Sequence, residues 1–246
     1  MMRGGGTTKL HDETTEWERV HSWTKSALDR LAAEPTSEAE RLQKFAVAEN
    51  ERQAKPIVRD LQSIGIPLWD LGELGNVRLL YPAAVPILVK YLAQAVPNDV
   101  AMSIVHALAK PYGRAAFDAL FAFLERHVKE MSSVQLFSVG NALSENASRL
   151  ELPLIVKILR NPTYSLAREP LALKAGRWGG KDVDQALTEY LRDGESQWTA
   201  IRALRLARNW SAVEDVRGYA TSNSSEVRKE VKKYLEAREN RMLRKD

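Results

Sequence analysis

The 246-residue chain contains no cysteine and only four histidines. The first absence excludes a disulfide framework, a thiol nucleophile and any thiolate metal site. The histidines His11, His21, His106 and His127 are scattered and form no His-x-x-x-His pair, so no metal centre is expected from them. No stretch approaches the roughly 20 apolar residues needed to cross a bilayer. Met1-Met2-Arg3-Gly4-Gly5-Gly6 has no apolar core, and no secretory signal is expected there. A Gly-x-Ser-x-Gly elbow, a P-loop and a dinucleotide fingerprint are all missing. Nor is there strand-like alternation of apolar and polar residues. These absences point away from the common enzyme chemistries and toward a cytoplasmic protein without membrane contact, metal or cofactor.

What is present is helical patterning. Hydrophobic residues make up 44% and charged residues 28%, enough to bury a substantial core. Residues 1–12 read as a disordered lead-in. A first helix is expected from about Glu13 to Glu34, with Trp17, Val20, Trp23 or Ala27, Leu28 and Leu31 near one stripe. Pro35-Thr36-Ser37 breaks it, and Ser37 with Glu40 forms a capping-box signature. A second helix follows to Ile64, with Pro56 as a possible kink. The segment Leu68–Gly75 reads as a connector carrying a turn of helix.

From Tyr81 a repeat sets in. Ala83–Leu92, Ala115–Leu124, Leu150–Leu159, Asp182–Leu191 and the weaker Ser211–Ala220 align at offsets of 32, 35, 32 and 29 residues. Each copy is followed by a turn and a second helix: Asn98–Lys110, Ser133–Asn146, Tyr164–Trp178, Ser196–Trp210 and Ser225–Leu243. Asn98, Ser133, Ser196 and Ser225 are suited to cap these second helices. A lone helix pair cannot bury its apolar stripe, whereas stacked pairs build a continuous core. The expectation is an all-α solenoid over 13–246, with capping helices over 13–80 and about five helix pairs over 81–246.

Tyr81-Pro82-Ala83-Ala84-Val85-Pro86-Ile87-Leu88, Gly140-Asn141-Ala142-Leu143-Ser144 and Val227-Arg228-Lys229-Glu230-Val231-Lys232-Lys233-Tyr234-Leu235 carry a resemblance to HEAT-repeat proteins. The likeness is closest to the bacterial group with phycobilisome-lyase-like HEAT repeats, and it covers roughly residues 67–240. It implies a binding scaffold that carries no catalytic residue. It also implies that second helices line the concave face.

Charge is unevenly distributed. Residues 160–246 hold 18 basic against 13 acidic side chains, more than the whole net excess of +4. At 100° per residue, Ala200, Ala203, Leu204 and Ala207 share the core side of one second helix. Trp198, Arg202, Arg205 and Arg208 fall on the opposite arc, with Ile201 beside them. Arg168, Lys174 and Arg177 lie on the preceding second helix, and Lys229, Lys232 and Lys233 on the next. Together they are expected to form one basic strip with an aromatic in it, on an arc with no acidic companion. Such a strip suits an acidic protein partner or, alternatively, nucleic acid; the bland alternative is a solvated helix face. Alkylbase DNA glycosylases also use HEAT-like stacks, but their chemistry needs a carboxylate among the groove aromatics. The chain is expected to be a monomer or weak oligomer.

Overall fold

A computed structural model describes residues 14–25 and 38–243 of the protein. The expected lead-in, the second half of the first expected helix and the capping box at Ser37 lie outside the described residues. Everything regular among the described residues is helical, with no strand. In chain order the helices are α1 (14–25), α2 (Glu38–Ser63), α3 (Leu71–Asn76), α4 (Val85–Leu92), α5 (Asn98–Ala107), α6 (Arg114–His127) and α7 (Ser133–Asn146). They continue as α8 (Leu152–Leu159), α9 (Arg168–Trp178), α10 (Lys181–Asp193), α11 (Gln197–Ala207), α12 (Val213–Arg217) and α13 (Ser225–Met242). The segments aligned as first helices in the sequence fall on α4, α6, α8, α10 and α12, and those read as second helices fall on α5, α7, α9, α11 and α13. The chain divides into two compact units, Met1–Phe123 and Leu124–Asp246, with the division falling inside α6.

In the N-terminal unit, α2 packs on α4 and α5, and α3 lies against α5. Ile57, Leu61, Leu68, Leu71, Leu74 and Leu88 are fully buried between them. The connector that starts α3 is held by a capping box. Asp70 accepts from the Gly72 amide at 2.7 Å, and Glu73 accepts from the Trp69 amide at 2.7 Å and the Asp70 amide at 3.4 Å. Helix α1 docks through Trp17 and Val20, both buried, and the Trp17 indole donates to the Tyr81 hydroxyl at 2.6 Å. Trp23, placed on the same stripe by periodicity, is instead 56% exposed.

A carboxylate ties α1 to the chain after α3. Glu16 accepts from Arg19 at 2.6 Å and from the Arg78 amide at 2.7 Å. Chiefly through the Arg19 hydrogen bonds, its pKa falls from 4.5 to about 2. A depressed carboxyl pKa contributes stability above the unfolded value, and that contribution disappears as pH falls toward the folded one. Acidification from pH 4.5 to about 2 should therefore loosen residues 14–25 before the remaining helices melt. Trp17 fluorescence should follow this step, and Glu16→Gln should remove it. An unchanged acid transition in that variant would show that the tie is elsewhere.

In the C-terminal unit the two kinds of helix separate into layers. Second helices pack in the order α7, α9, α11, α13, and first helices in the order α8, α10, α12. Close approach along the second-helix layer depends on missing side chains. A Cβ on Gly140 would sit 2.3 Å from the Ala167 carbonyl oxygen, just before α9. One on Gly176 would sit 2.5 Å from the Ala203 carbonyl oxygen in α11. No L side chain fits at either distance, so both contacts are backbone against backbone.

Caps differ from expectation by one residue. Ser132 and Ser224, rather than Ser133 and Ser225, accept from the amides of Gln135 and Val227. Pro97 precedes α5 without a side-chain cap. Ser196 does stand at the start of α11 but its hydroxyl donates to the Glu169 carboxylate. Between tandem polar residues the cap is chosen by where the chain turns, which the two letters alone leave open.

Candidate functional site

The phase of α11 follows from its burial. Thr199, Ala200, Ile201, Ala203 and Leu204 are fully buried, while Trp198, Arg202, Arg205 and Leu206 are half-buried or exposed. Ala203 faces α9 at Gly176, and Arg205 reaches α13 at Glu230. The arc between those two contacts is uncovered, and it carries Trp198 and Arg202. Ile201, placed beside the strip by sequence, belongs to the core. Leu204→Asp should unfold the C-terminal unit by burying an unpaired charge, whereas Arg202→Asp should leave its melting temperature nearly unchanged. Equal losses in thermal denaturation would contradict this phase.

Equivalent arcs exist on the other second helices. On α7 the exposed residues are Ser133 at its start, then Val134, Phe137, Asn141 and Glu145. On α9, Glu169, Leu173 and Arg177 lie between the α7 contact and the α11 contact, with Lys174 at the margin. On α13, Lys229, Lys232 and Lys233 are exposed. The uncovered face is thus apolar at its α7 end and basic at its α13 end.

The predicted strip is only partly assembled. Arg177, Arg202 and Lys229 are exposed and make no ion pair among the described residues. Lys174 places its ammonium 5.7 Å from the centroid of Trp178. Lys232 lies 3.8 Å from Glu236. Arg205 and Lys233 converge on the buried Glu230, at 3.5 Å and 2.7 Å. This carboxylate is the acidic companion that the sequence reading did not find. Arg208 ends α11 in the left-handed region at φ 56°, so it leaves the helical register and the shared arc.

Arg168 is not on the strip at all. Its side chain is 1% exposed, and its guanidinium donates to Asp193 and Glu195 at 2.5 Å each and to the Leu159 carbonyl at 3.4 Å. It also lies 4.6 Å from the ring centroid of Tyr190, a buried phenol whose pKa is raised by desolvation. One buried side chain thereby links the end of α8, the end of α10 and the turn into α11. Within α9, Arg168 lies nine residues before Arg177, which at 100° per residue puts the two on opposite sides of the helix.

Other candidate chemistry is sparse. Lys110 is half-buried and donates to the carbonyls of Leu74 at 2.7 Å and Leu79 at 3.3 Å; burial pushes its pKa down to about 8. Its hydrogen bonds are all to backbone, the signature of a structural strut. Among the described residues no group of three or more histidine, aspartate or glutamate side chains is placed to hold a metal ion. No described helix is long and apolar enough to cross a membrane. Among the described residues the protein is all-helical, and in its C-terminal unit one arc of the second helices is left uncovered. No family of known proteins, no curated protein and no solved structure matches the chain.

Proposed function

We propose that the chain is a non-catalytic HEAT-type α-solenoid scaffold that binds a protein partner on the uncovered face of its C-terminal second helices. The supporting observation is the make-up of that face. Arg177, Arg202 and Lys229, on α9, α11 and α13, make no ion pair among the described residues, and the same face carries the apolar Val134, Phe137 and Leu173 and the indole of Trp198. A nucleic-acid groove collects cations of one sign along a phosphate track. Here Glu145, Glu169 and Glu230 interrupt the cations, and two of the basic groups spend their charge on Glu230. Mixed charge beside exposed apolar side chains matches an acidic protein surface better than a phosphate backbone. The reading includes a cytoplasmic location, a monomer or weak oligomer, and no cofactor.

Fluorescence anisotropy with a labelled acidic amphipathic peptide and with a labelled oligonucleotide, each at low and near-physiological salt, tests this. The peptide should bind at both salts, and Arg202→Glu with Lys229→Glu should weaken it by at least about tenfold with little change in melting temperature. Oligonucleotide binding that survives near-physiological salt while the peptide fails would replace this reading with a nucleic-acid one. Silence from both probes at low salt would return the strip to a solvated helix face.

A further inference from the structure

The N-terminal unit contains a concave feature independent of the basic strip: a cleft of about 670 Å³. That lies inside the range of roughly 300–1,000 Å³ typical of small-molecule sites. Parts of α1, α2, α5 and the start of α3 form its described wall, with Val58 and Val100 contributing apolar surface. Two tryptophans line it, Trp23 and Trp69, which are 56% and 58% exposed. So much indole left in water on one cleft is unusual for a site with no occupant.

Each indole already holds one basic group of the chain against one of its faces. The Arg19 guanidinium lies 4.3 Å from the Trp23 centroid. The His21 imidazole stacks on Trp69 at 4.0 Å and 7° between planes. The face left over on each ring is a further surface for positive charge. The same wall carries three carboxylates, Glu51, Asp70 and Asp99, against one ammonium, Lys55. Neutral donors position two of these acids: the Gly72 amide on Asp70 and the Asn50 amide on Asp99, both at 2.7 Å. None of the three makes an ion pair among the described residues. The described wall is therefore acidic on balance, with two of its carboxylates held in place by neutral donors.

We propose that this cleft binds a small organic cation of the quaternary or alkyl-ammonium class. Its charge answers the carboxylates while its methyl groups spread over indole faces, which neither an inorganic ion nor a neutral hydrocarbon does. An anion is repelled by the same acids.

Isothermal titration of the full chain with choline and with its uncharged carbon isostere, 3,3-dimethylbutan-1-ol, tests the proposal. Choline should bind saturably at one site, and the isostere about tenfold or more weakly, the scale of one cation–π contact. Trp69→Ala and Asp70→Asn should each weaken choline by a similar factor. Asparagine still caps α3, so the second variant keeps the fold if the first disturbs it. Trp198→Ala, in the other unit, should leave the titration unchanged. No saturable binding in the millimolar range, equal binding of the isostere, or indifference to both cleft variants would overturn it.

Discussion

Arg168→Ala should lower the unfolding free energy of the C-terminal unit by about 3 kcal/mol, the lower end for removing one partner of a buried ion pair. The lower end applies because Asp193 and Glu195 are themselves about a third exposed and can recover water. Lost packing of the guanidinium on Tyr190 adds to the effect. For a chain of this size the melting temperature should fall by roughly 6–12 °C. Arg168→Lys should recover little, because an ammonium cannot span two carboxylates and a carbonyl from one planar fork. Urea denaturation reads the difference directly. If Arg168→Met were as stable as the natural protein, the three-way link would be dispensable and filling the buried space would be enough.

The second large effect belongs to the glycines. Gly176→Ala should destabilise by about 2–3 kcal/mol, the upper part of the range for overpacking. Its new methyl meets a backbone oxygen at 2.5 Å, and neither helix can rotate it away. Gly140→Ala should behave alike at the α7–α9 contact, where the approach is closer still. Asn141→Ala, one residue from Gly140 but on the uncovered arc, is the control and should be close to neutral. Equal melting temperatures for all three would mean that the second helices can separate without loss.

These sites show how far the amino-acid pattern could be read. The all-helical character and the approximate helix positions from Tyr81 onward were legible in the sequence, because helix period and turn residues are local properties. Leu204 and Arg202 were placed on the correct sides of α11 for the same reason. Arg168 was misplaced because it was assigned to the strip by its helix alone; nine residues at 100° each turn it to the side of α9 opposite Arg177. Glu230 was missed as a partner of Arg205 because their link spans 25 residues and depends on how two helices lean together. The N-terminal cleft had no sequence signal, since its wall comes from four separated segments.

The layering of the C-terminal unit also sets the order in which the chain can be built. Its inter-helix hydrogen bonds join residues such as Asn209 and Thr188, 21 apart, and Lys157 and Glu125, 32 apart. Each helix pair therefore finds its partners in the pair made just before it, and none waits for a distant strand of sequence. At a synthesis rate of roughly 5–20 residues per second, a new pair of about thirty residues emerges every 2–6 s or so. Short-range closures are completed far faster than that. The unit can consequently settle pair by pair as it leaves the ribosome, with the face of the newest pair exposed only until its successor arrives.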